Sequence, residues 1–440
     1  MSNRRRTTRI LGSRRGGQAG FTLVELLVAM IAGLLVAAAA FAFSKSATRL
    51  FSQEARIASA QLSVLSGFER LQADIARAAY LGTPNMPRDR DFHRVCVPND
   101  VFATWPAGMQ TMAGLRITAG NATSGGAQLP DSNYPDSIRI VGSFAANDMF
   151  PVANVEAGAQ GSIVTLGVNN GPLARSGVVL GDNATLQAVF ATGRVLRIQD
   201  MDGNLEFGLI TGATFSPTGN PQITTANAIP VKGSGESPTC GVGGYGTQSQ
   251  ASVLSIIEYG IVNVRGMTGG NASVYQATLF SEAGSAYGDD TRTELVRREV
   301  FLGAADPPPL SADNNVEIVA EYAVDLRFGL WVGDATSTPA GLTYLAPSTA
   351  AVYQRTTLAN NYVEGTLPTG PESIRAVEVR LAVRSREVDR NAMIDPTLTG
   401  TSADGGFMYR FPLPNDAGVA RARTLVATVS LDNQRGDTWQ

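Results

Sequence analysis

The chain has 440 residues, a formal net charge of −3, one histidine and two cysteines, and 44% of its residues are hydrophobic. Zinc sites of the usual Cys/His kind need more ligands than this, and any Ser-His-Asp or Cys-His arrangement would have to use His93. The charge also lacks the basic excess that nucleic-acid binding requires. The composition therefore predicts that the protein is not an enzyme and has no nucleic-acid partner.

The first 43 residues combine a basic leader with an apolar segment. Residues 1–20 contain six arginines and no acid, whereas residues 21–43 contain one charged residue, Glu25. An α-helix over this apolar segment is about 34 Å long, enough to cross a hydrocarbon core of about 30 Å. The arginines keep the leader in the cytoplasm and direct the rest of the chain outward. We therefore expect an exported protein with a single membrane anchor.

Glu25 distinguishes between three interpretations of this segment. A secretory signal peptide would be cleaved after its apolar region, where Ala38–Ala40 offers small residues, but a carboxylate is foreign to such a region. The anchor of a solitary periplasmic protein would also seldom contain an acid, because a charge at membrane depth costs about 2.5–3.5 kcal/mol or more. The third interpretation gives Glu25 a cationic partner.

The residues around Glu25 resemble a known export signal. Gly-Phe-Thr-Leu-Val-Glu-Leu, from Gly20 to Leu26, is similar to the class III signal of type IV prepilins and type II secretion pseudopilins. The resemblance implies cleavage between Gly20 and Phe21 by a prepilin peptidase, followed by methylation of the Phe21 amine. It also implies that the Glu25 carboxylate of one subunit faces the Phe21 amine of a neighbour in the core of a filament.

The helix is predicted to continue beyond the anchor. Apolar residues recur every three or four positions from Leu50 to Ala79, with charged residues between them. Gly82-Thr83-Pro84 is a helix stop signal, so we expect an amphipathic continuation over residues 44–81. Its apolar face requires a sheet to cover it.

Short β-branched runs bounded by turn residues follow the helix. They predict a fold of the α+β class, a long N-terminal helix packed on a largely antiparallel, β-rich headgroup. The clearest alternation is in residues 375–384, where Val377, Val379 and Leu381 share one face. The predicted strands are Ser137–Val141, Ser162–Val168, Gly177–Leu180, Leu186–Thr192, Val195–Ile198, Val253–Val264, Val274–Phe280, Glu294–Leu302, Tyr322–Val332, Ile374–Val383 and Thr424–Leu431.

The last part of the chain is similar to a narrower family. Four segments, namely Leu295–Glu299, Val316–Gly329, Ser373–Leu381 and Thr424–Leu431, resemble the closing elements of PilW-type minor pilins, and J-type minor pseudopilins are similar. We therefore divide the chain into a cleaved leader (1–20), a filament-core helix (21–43), its amphipathic continuation (44–81), an unmatched β-rich insertion (82–250) and a PilW-like region (251–440).

The resemblance implies a function and partners. The expected role is to prime or cap type IV pilus assembly in a tip or initiation complex, and the alternatives are a J-like pseudopilin or a filament-mounted adhesin or ligand-binding module. The implied partners are other minor pilins, the major pilin, the prepilin peptidase, the inner-membrane assembly platform and a tip adhesin. Before assembly the headgroup would lie in the periplasm, anchored in the inner membrane, and afterwards on the cell-surface pilus.

Two further groups of residues are candidate sites. Cys96 and Cys240 would form one disulfide in an oxidising periplasm, or remain separate buried thiols. Asp200, Asp202, Asn204 and Glu206 surround a glycine as calcium ligands do, but the segment lacks the length and the terminal glutamate of an EF-hand. A hairpin turn is the favoured interpretation of this segment, so no cofactor is expected and calcium stays the minor alternative.

Overall fold

The computed structural model describes fourteen stretches of the chain, namely residues 22–86, 89, 105–120, 134–159, 161–168, 170–231, 244–268, 292–303, 307–312, 315–334, 341–347, 370–388, 410–413 and 418–434. The chain divides into two compact units, Met1–Ala60 and Gln61–Gln440. The described part of the first unit is helical, and the second unit contains the sheets. The predicted α+β class, with a long N-terminal helix and a largely antiparallel β-rich body, is confirmed.

The described residues form four α-helices and fifteen strands. The helices are α1 (Leu23–Ala76), α2 (Ala107–Gln110), α3 (Asn170–Arg175) and α4 (Asn183–Val189). The strands are β1 (Leu115–Thr118), β2 (Ser137–Gly142), β3 (Phe150–Ala157), β4 (Ser162–Leu166), β5 (Val195–Gln199), β6 (Leu205–Phe215), β7 (Pro221–Thr225), β8 (Gln250–Asn263), β9 (Thr293–Val300), β10 (Glu317–Ala320), β11 (Ala323–Asp334), β12 (Gly341–Leu345), β13 (Ile374–Val388), β14 (Arg410–Leu413) and β15 (Gly418–Ser430).

Helix α1 ends earlier than the sequence predicts. It ends at Ala76 rather than at Leu81, because the backbone that follows tightens into turns and then bonds to strand β2. The Ala79 N–H donates to the Val141 carbonyl at 2.7 Å. Ala79 and Leu81 adopt φ values of 60° and 52°, a left-handed conformation that ends a helix as a glycine would.

The second half of α1 fills the main hydrophobic core. Val64, Phe68, Leu71 and Ile75 are spaced three or four residues apart and are all buried against strands of both sheets. Gly67 lies on this contact, since a Cβ built on it would be 2.3 Å from the Val319 carbonyl oxygen of β10. The helix therefore approaches β10 more closely than any side chain would permit.

The C-terminal strands form a five-stranded antiparallel sheet in the order β12-β11-β13-β15-β14. Its central strand β13 confirms the predicted alternation. Val377, Val379 and Leu381 are fully buried in the main core, whereas Glu378 and Arg380 point to the other face.

The remaining strands form a ten-stranded sheet, part of which closes on itself. Strands β8, β3, β4, β7, β6 and β5 pair in this order, and β5 pairs with β8 again, so they make a closed antiparallel barrel. Strand β8 is shared between the barrel and an open sheet. Its residues 250–254 pair with β3 and β5, and its residues 255–263 pair with β2 and β9. The sheet thus contains strands from both sides of the domain boundary expected at residue 250.

The barrel has its own hydrophobic core, which two short helices help to fill. Phe150, Val164 and Ile198 are buried inside it together with Leu186 and Phe190 from helix α4 and the residue after it.

Two of the predicted strands are wrong. Gly177–Leu180 is a turn after α3, and most of Leu186–Thr192 belongs to α4, whose first turn is capped by the Asp182 side chain accepting from the Ala184 N–H at 2.9 Å. Leu186 and Val189 are buried at helical spacing, a pattern that a short apolar run does not distinguish from a strand. The predicted strand Val274–Phe280 lies outside the described residues.

Candidate assembly site

The N-terminus of α1 is organised around Glu25 and Thr22. The Thr22 N–H and the Thr22 hydroxyl each donate to the Glu25 carboxylate at 3.0 Å, and the Glu25 N–H donates back to the Thr22 hydroxyl at 3.3 Å. This reciprocal arrangement is a capping box, in which the residue before the helix and the third helical residue satisfy each other's backbone donors. The carboxylate is therefore fixed at the start of the helix, where the helix dipole favours a negative charge.

The helix that follows exposes an apolar surface on all sides. Residues Leu23–Thr48 have a mean hydropathy of 2.7, and none of the most apolar stretch is buried within the chain. Leu23, Leu34 and Phe43 are each more than two-thirds exposed. Within the described residues this is the one helix long and apolar enough to cross a membrane, by length and composition. Such a surface needs a bilayer or other helices to remove it from water.

A buried hydrogen-bonded group attaches the C-terminal part of α1 to strands β8 and β9. The Tyr259 hydroxyl donates to the Asp74 carboxylate at 2.7 Å, and Arg297 Nε donates to the same oxygen at 2.9 Å. Burial, together with the charge of Asp74, raises the pKa of Tyr259, so the hydroxyl keeps its proton. The group fixes the rotation of the helix on the sheet, because breaking it would leave a buried carboxylate without its partners.

Several predicted site residues lie outside the described part of the chain. These are Gly20 and Phe21 of the processing site, the two cysteines Cys96 and Cys240, and His93. The structure therefore describes Glu25 but not the peptide bond that a peptidase would cleave.

Residues 200–206 form the turn of the β5–β6 hairpin. The Asp200 carboxylate accepts hydrogen bonds from the Asp202 and Asn204 N–H groups at 2.9 and 2.8 Å and from the Asn204 side-chain amide at 2.7 Å. Gly203 supplies the left-handed residue of the turn, with φ at 93°. The oxygens of Asp200 are thus used within the turn, and the described residues contain no group of three or more His, Cys, Asp or Glu placed to hold a metal ion.

Glu206 has a different environment from the turn. It is 4% exposed and lies on the same side of β6 as Ile210, a residue of the barrel core. Burial raises the pKa of its carboxyl to about 8, and the nearest compensation is a 3.3 Å hydrogen bond from the Phe207 N–H. Glu206 is therefore a neutral acid inside the barrel at neutral pH.

Sequence reasoning missed Thr22, Asp74 and Tyr259. Thr22 carried a usable signal, because a threonine three residues before a glutamate at the start of an apolar run is the signature of a capping box. Asp74 and Tyr259 carried none, since their contact joins positions that are far apart in the chain.

Comparison with protein-family models matches residues 15–41 to the Prokaryotic N-terminal methylation motif. The match supports a type IV pilin-like or pseudopilin role, a structural subunit rather than an enzyme, with other pilins and a prepilin peptidase as general partners. Together with the apolar helix it is consistent with membrane anchoring. Comparisons with curated proteins and with solved structures find no match.

Proposed function

We propose that this protein is a PilW-like minor pilin that primes or caps the assembly of a type IV pilus. The observation that carries the proposal is the N-terminal methylation motif at residues 15–41, whose Glu25 is fixed at the start of an apolar helix. Such a helix serves first as a membrane anchor and then as part of a filament core. The motif does not distinguish a major from a minor subunit, so the body of the protein provides that argument.

The body after the helix is large for a repeating subunit. The unit Gln61–Gln440 contains a five-stranded sheet and a ten-stranded sheet with a closed barrel. A filament lattice built from thousands of copies requires closely spaced heads, and a body of this size would crowd it. A few copies in a tip or initiation complex, in contact with other minor pilins, the assembly platform and a tip adhesin, avoid this conflict.

Glu25 is proposed to pair with the Phe21 amine of a neighbouring subunit. Before assembly its carboxylate already accepts two hydrogen bonds from Thr22, which lowers the cost of placing it in the membrane. In the filament the amine of a neighbour would add the opposite charge. Such a pair favours the correct register more than it adds stability, because a subunit out of register leaves both charges unpaired in a medium of low dielectric.

Two substitutions separate the charge of Glu25 from its capping role. Glu25→Gln keeps a side-chain acceptor for the capping box but removes the charge, whereas Glu25→Ala removes both. We expect both variants to be cleaved after Gly20 and to be incorporated into sheared filaments at least about 10-fold less than the native chain, as the loss of a buried ion pair predicts.

The matched control is Thr22→Ser, which keeps the hydroxyl and should assemble normally. Normal incorporation of Glu25→Gln would show that capping alone matters and would contradict the proposed ion pair. Mass analysis of the processed chain provides an independent check, since a first residue other than a methylated Phe21 would remove the basis of the proposal. The copy number relative to the major subunit then tests the tip location.

A second candidate is a ligand-binding module mounted on the filament. The observation in its favour is the closed barrel formed by strands β3 to β8, whose hydrophobic core contains no residue of helix α1. Binding of the assembled filaments to a surface, lost when the barrel is altered while assembly is kept, would favour this candidate. A J-like role in type II secretion shares every N-terminal feature, and loss of protein secretion rather than of pili would identify it.

A further inference from the structure

Two buried polar side chains of the barrel lack the partners that burial normally requires. Glu206 is 4% exposed and Tyr245 is fully buried. Among the described residues, the Glu206 carboxyl accepts one hydrogen bond, from the Phe207 N–H at 3.3 Å, and the Tyr245 hydroxyl has no hydrogen-bond partner. Buried polar atoms of side chains nearly always bond to a protein group or to ordered water. Both side chains therefore indicate a further molecule between them.

Strand register places Glu206 in one layer of the barrel interior. Glu206 of β6 pairs with Ile198 of β5, which pairs with Ala251 of β8. Ala251 pairs in turn with Phe150 of β3. Residues opposite each other on paired strands share a face, and the last three belong to the barrel core together with Tyr245. This layer lies beside the turn of the β5–β6 hairpin, and its smallest side chain is Ala251.

Tyr245 enters this core from a segment whose backbone is fixed. The Tyr245 N–H donates to the Pro230 carbonyl at 2.8 Å. The next residue, Gly246, donates to the Ser249 hydroxyl at 3.2 Å, and the Val152 N–H of β3 donates to the Ser249 carbonyl at 2.9 Å. The phenol is therefore held inside the barrel by its backbone and by apolar packing, with its hydroxyl still available for a hydrogen bond.

The two side chains interact electrostatically without a direct hydrogen bond. Burial, and after it the charge of Glu206, raises the pKa of Tyr245. The hydroxyl nevertheless has no bond to the carboxyl. Polar groups that face each other beyond direct hydrogen-bond distance are typically bridged by water. Since burial raises the pKa of Glu206 to about 8, both groups carry a proton to donate at neutral pH.

A water molecule fits these groups better than an ion or an organic ligand. Calcium and magnesium require about six oxygen ligands, and no described group of three or more acidic, histidine or cysteine side chains is placed to supply them. The barrel has six strands, whereas even about eight strands enclose only the room that side chains fill. A buried water needs two to four polar partners, which a carboxyl and a hydroxyl can provide.

We propose that one water molecule bound inside the barrel bridges the Glu206 carboxyl and the Tyr245 hydroxyl. The water accepts a hydrogen bond from the hydroxyl and another from the protonated carboxyl, which satisfies both groups without a buried charge. It connects the β5–β6 hairpin to the segment that leads into β8, across the end of the barrel. When Glu206 ionises, its carboxylate can only accept, so the water turns to donate to it.

Nuclear magnetic resonance of the full chain in detergent micelles tests the proposal. The Phe207 N–H is the probe, because it already bonds to Glu206. With ¹⁵N-labelled phenylalanine at about pH 6, below the pKa of Glu206, we expect a Phe207–water cross-peak with the sign of a long-lived bound molecule. The control is Phe190, a fully buried residue of the same core whose N–H donates to the Leu186 carbonyl at 2.8 Å, and it should show no such cross-peak.

Two variants distinguish water from an exchanging carboxyl proton. Glu206→Gln keeps hydrogen-bonding atoms at this position but removes the acid proton, so the cross-peak should remain. Glu206→Met combined with Tyr245→Phe makes the site apolar, and because apolar cavities stay dry the cross-peak should vanish. An unchanged Phe190 amide resonance in each variant verifies that the barrel is folded.

Three outcomes would overturn the proposal. A missing Phe207 cross-peak in the native chain would show that the site is dry. Its loss in Glu206→Gln would assign the signal to the carboxyl proton, and its persistence in the double variant would place the water elsewhere. None of these outcomes involves Gly20 or Glu25, so failure here does not contradict the filament role.

Discussion

The buried carboxyl of Glu206 predicts how the stability of the protein depends on pH. Its pKa is raised to about 8 by burial in the barrel, against 4.5 for the exposed group. Between these values the folded protein binds a proton at this site that the unfolded chain does not. The free energy of unfolding therefore falls by about 1.4 kcal/mol per pH unit as the pH rises from 4.5 to 8, up to about 5 kcal/mol in total.

Replacing the acid with an amide removes this dependence. Glu206→Gln keeps the size of the side chain but cannot ionise, so the loss of stability between pH 5 and pH 8 should shrink by up to about 4 kcal/mol. Chemical denaturation of the full chain in detergent, followed by far-ultraviolet circular dichroism at both pH values, measures the difference. The variant should be the more stable protein at pH 8, since it then carries no buried charge.

Other ionisable groups lie close to Glu206 and interact with its charge. Tyr245 is fully buried, its hydroxyl has no hydrogen-bond partner among the described residues, and burial together with the Glu206 charge raises its pKa. The charge of Asp200 also raises the pKa of Tyr245, whereas the charge of Arg197 lowers it. Glu317→Gln, at an exposed ion pair with Arg70, is the control and should change stability by less than about 1 kcal/mol. If Glu206→Gln and the native chain lose stability in parallel from pH 5 to pH 8, Glu206 is ionised in the fold and the argument is wrong.

Three further changes test how the helix is held on the sheets. Gly67→Ala should destabilise the body by several kcal/mol, because its methyl group meets a backbone oxygen at 2.3 Å, whereas Gly33→Ala, with no neighbour within 4 Å, should be neutral in thermal unfolding. Leu71→Ala should cost about 2–5 kcal/mol in denaturant unfolding, and a cost below about 1 kcal/mol would contradict its place in the core. Tyr259→Phe leaves the Asp74 carboxylate with one fewer donor and should cost about 1.5–3 kcal/mol; an unchanged unfolding midpoint would argue against the 2.7 Å hydrogen bond.

The parts of the fold that the sequence predicted are those where local pattern and tertiary environment agree. Strand β13 has one face on the core and the other partly in water, so its residues alternate and the strand was recognised. Strand β8 is buried along most of its length, since one face contributes Tyr259 to the main core and the other contributes Ile256 to a second cluster. Its continuous apolar run predicted a strand correctly.

The sequence did not predict the barrel, because several of its strands lack a clear strand pattern and its closure depends on a long-range contact. Strands β3 and β7 contain Pro151 and Pro221, which count against a strand in sequence, and here both positions lie at strand ends. Strand β6 contains the acid Glu206 and two glycines, so it did not look like a buried strand. Closure also depends on β5 pairing with β8, residues some fifty positions apart, and no local pattern encodes such a contact.

The candidate site was predicted in part. The proposed processing site at Gly20 and Phe21 and the proposed role of Glu25 rest on a short linear motif, which is legible in the sequence without the fold. The capping role of Thr22 was encoded locally and overlooked.

The sharing of strand β8 makes the large insertion inseparable from the rest of the protein. A deletion of residues 150–249 would remove both partners of residues 250–254 and leave an apolar ribbon of unpaired peptide groups protruding from the open sheet. The barrel therefore cannot be excised or grafted as a cassette, and heating should melt it together with its neighbours in one transition. Any change of recognition on the barrel has to be made through its loops, with the shared strand left intact.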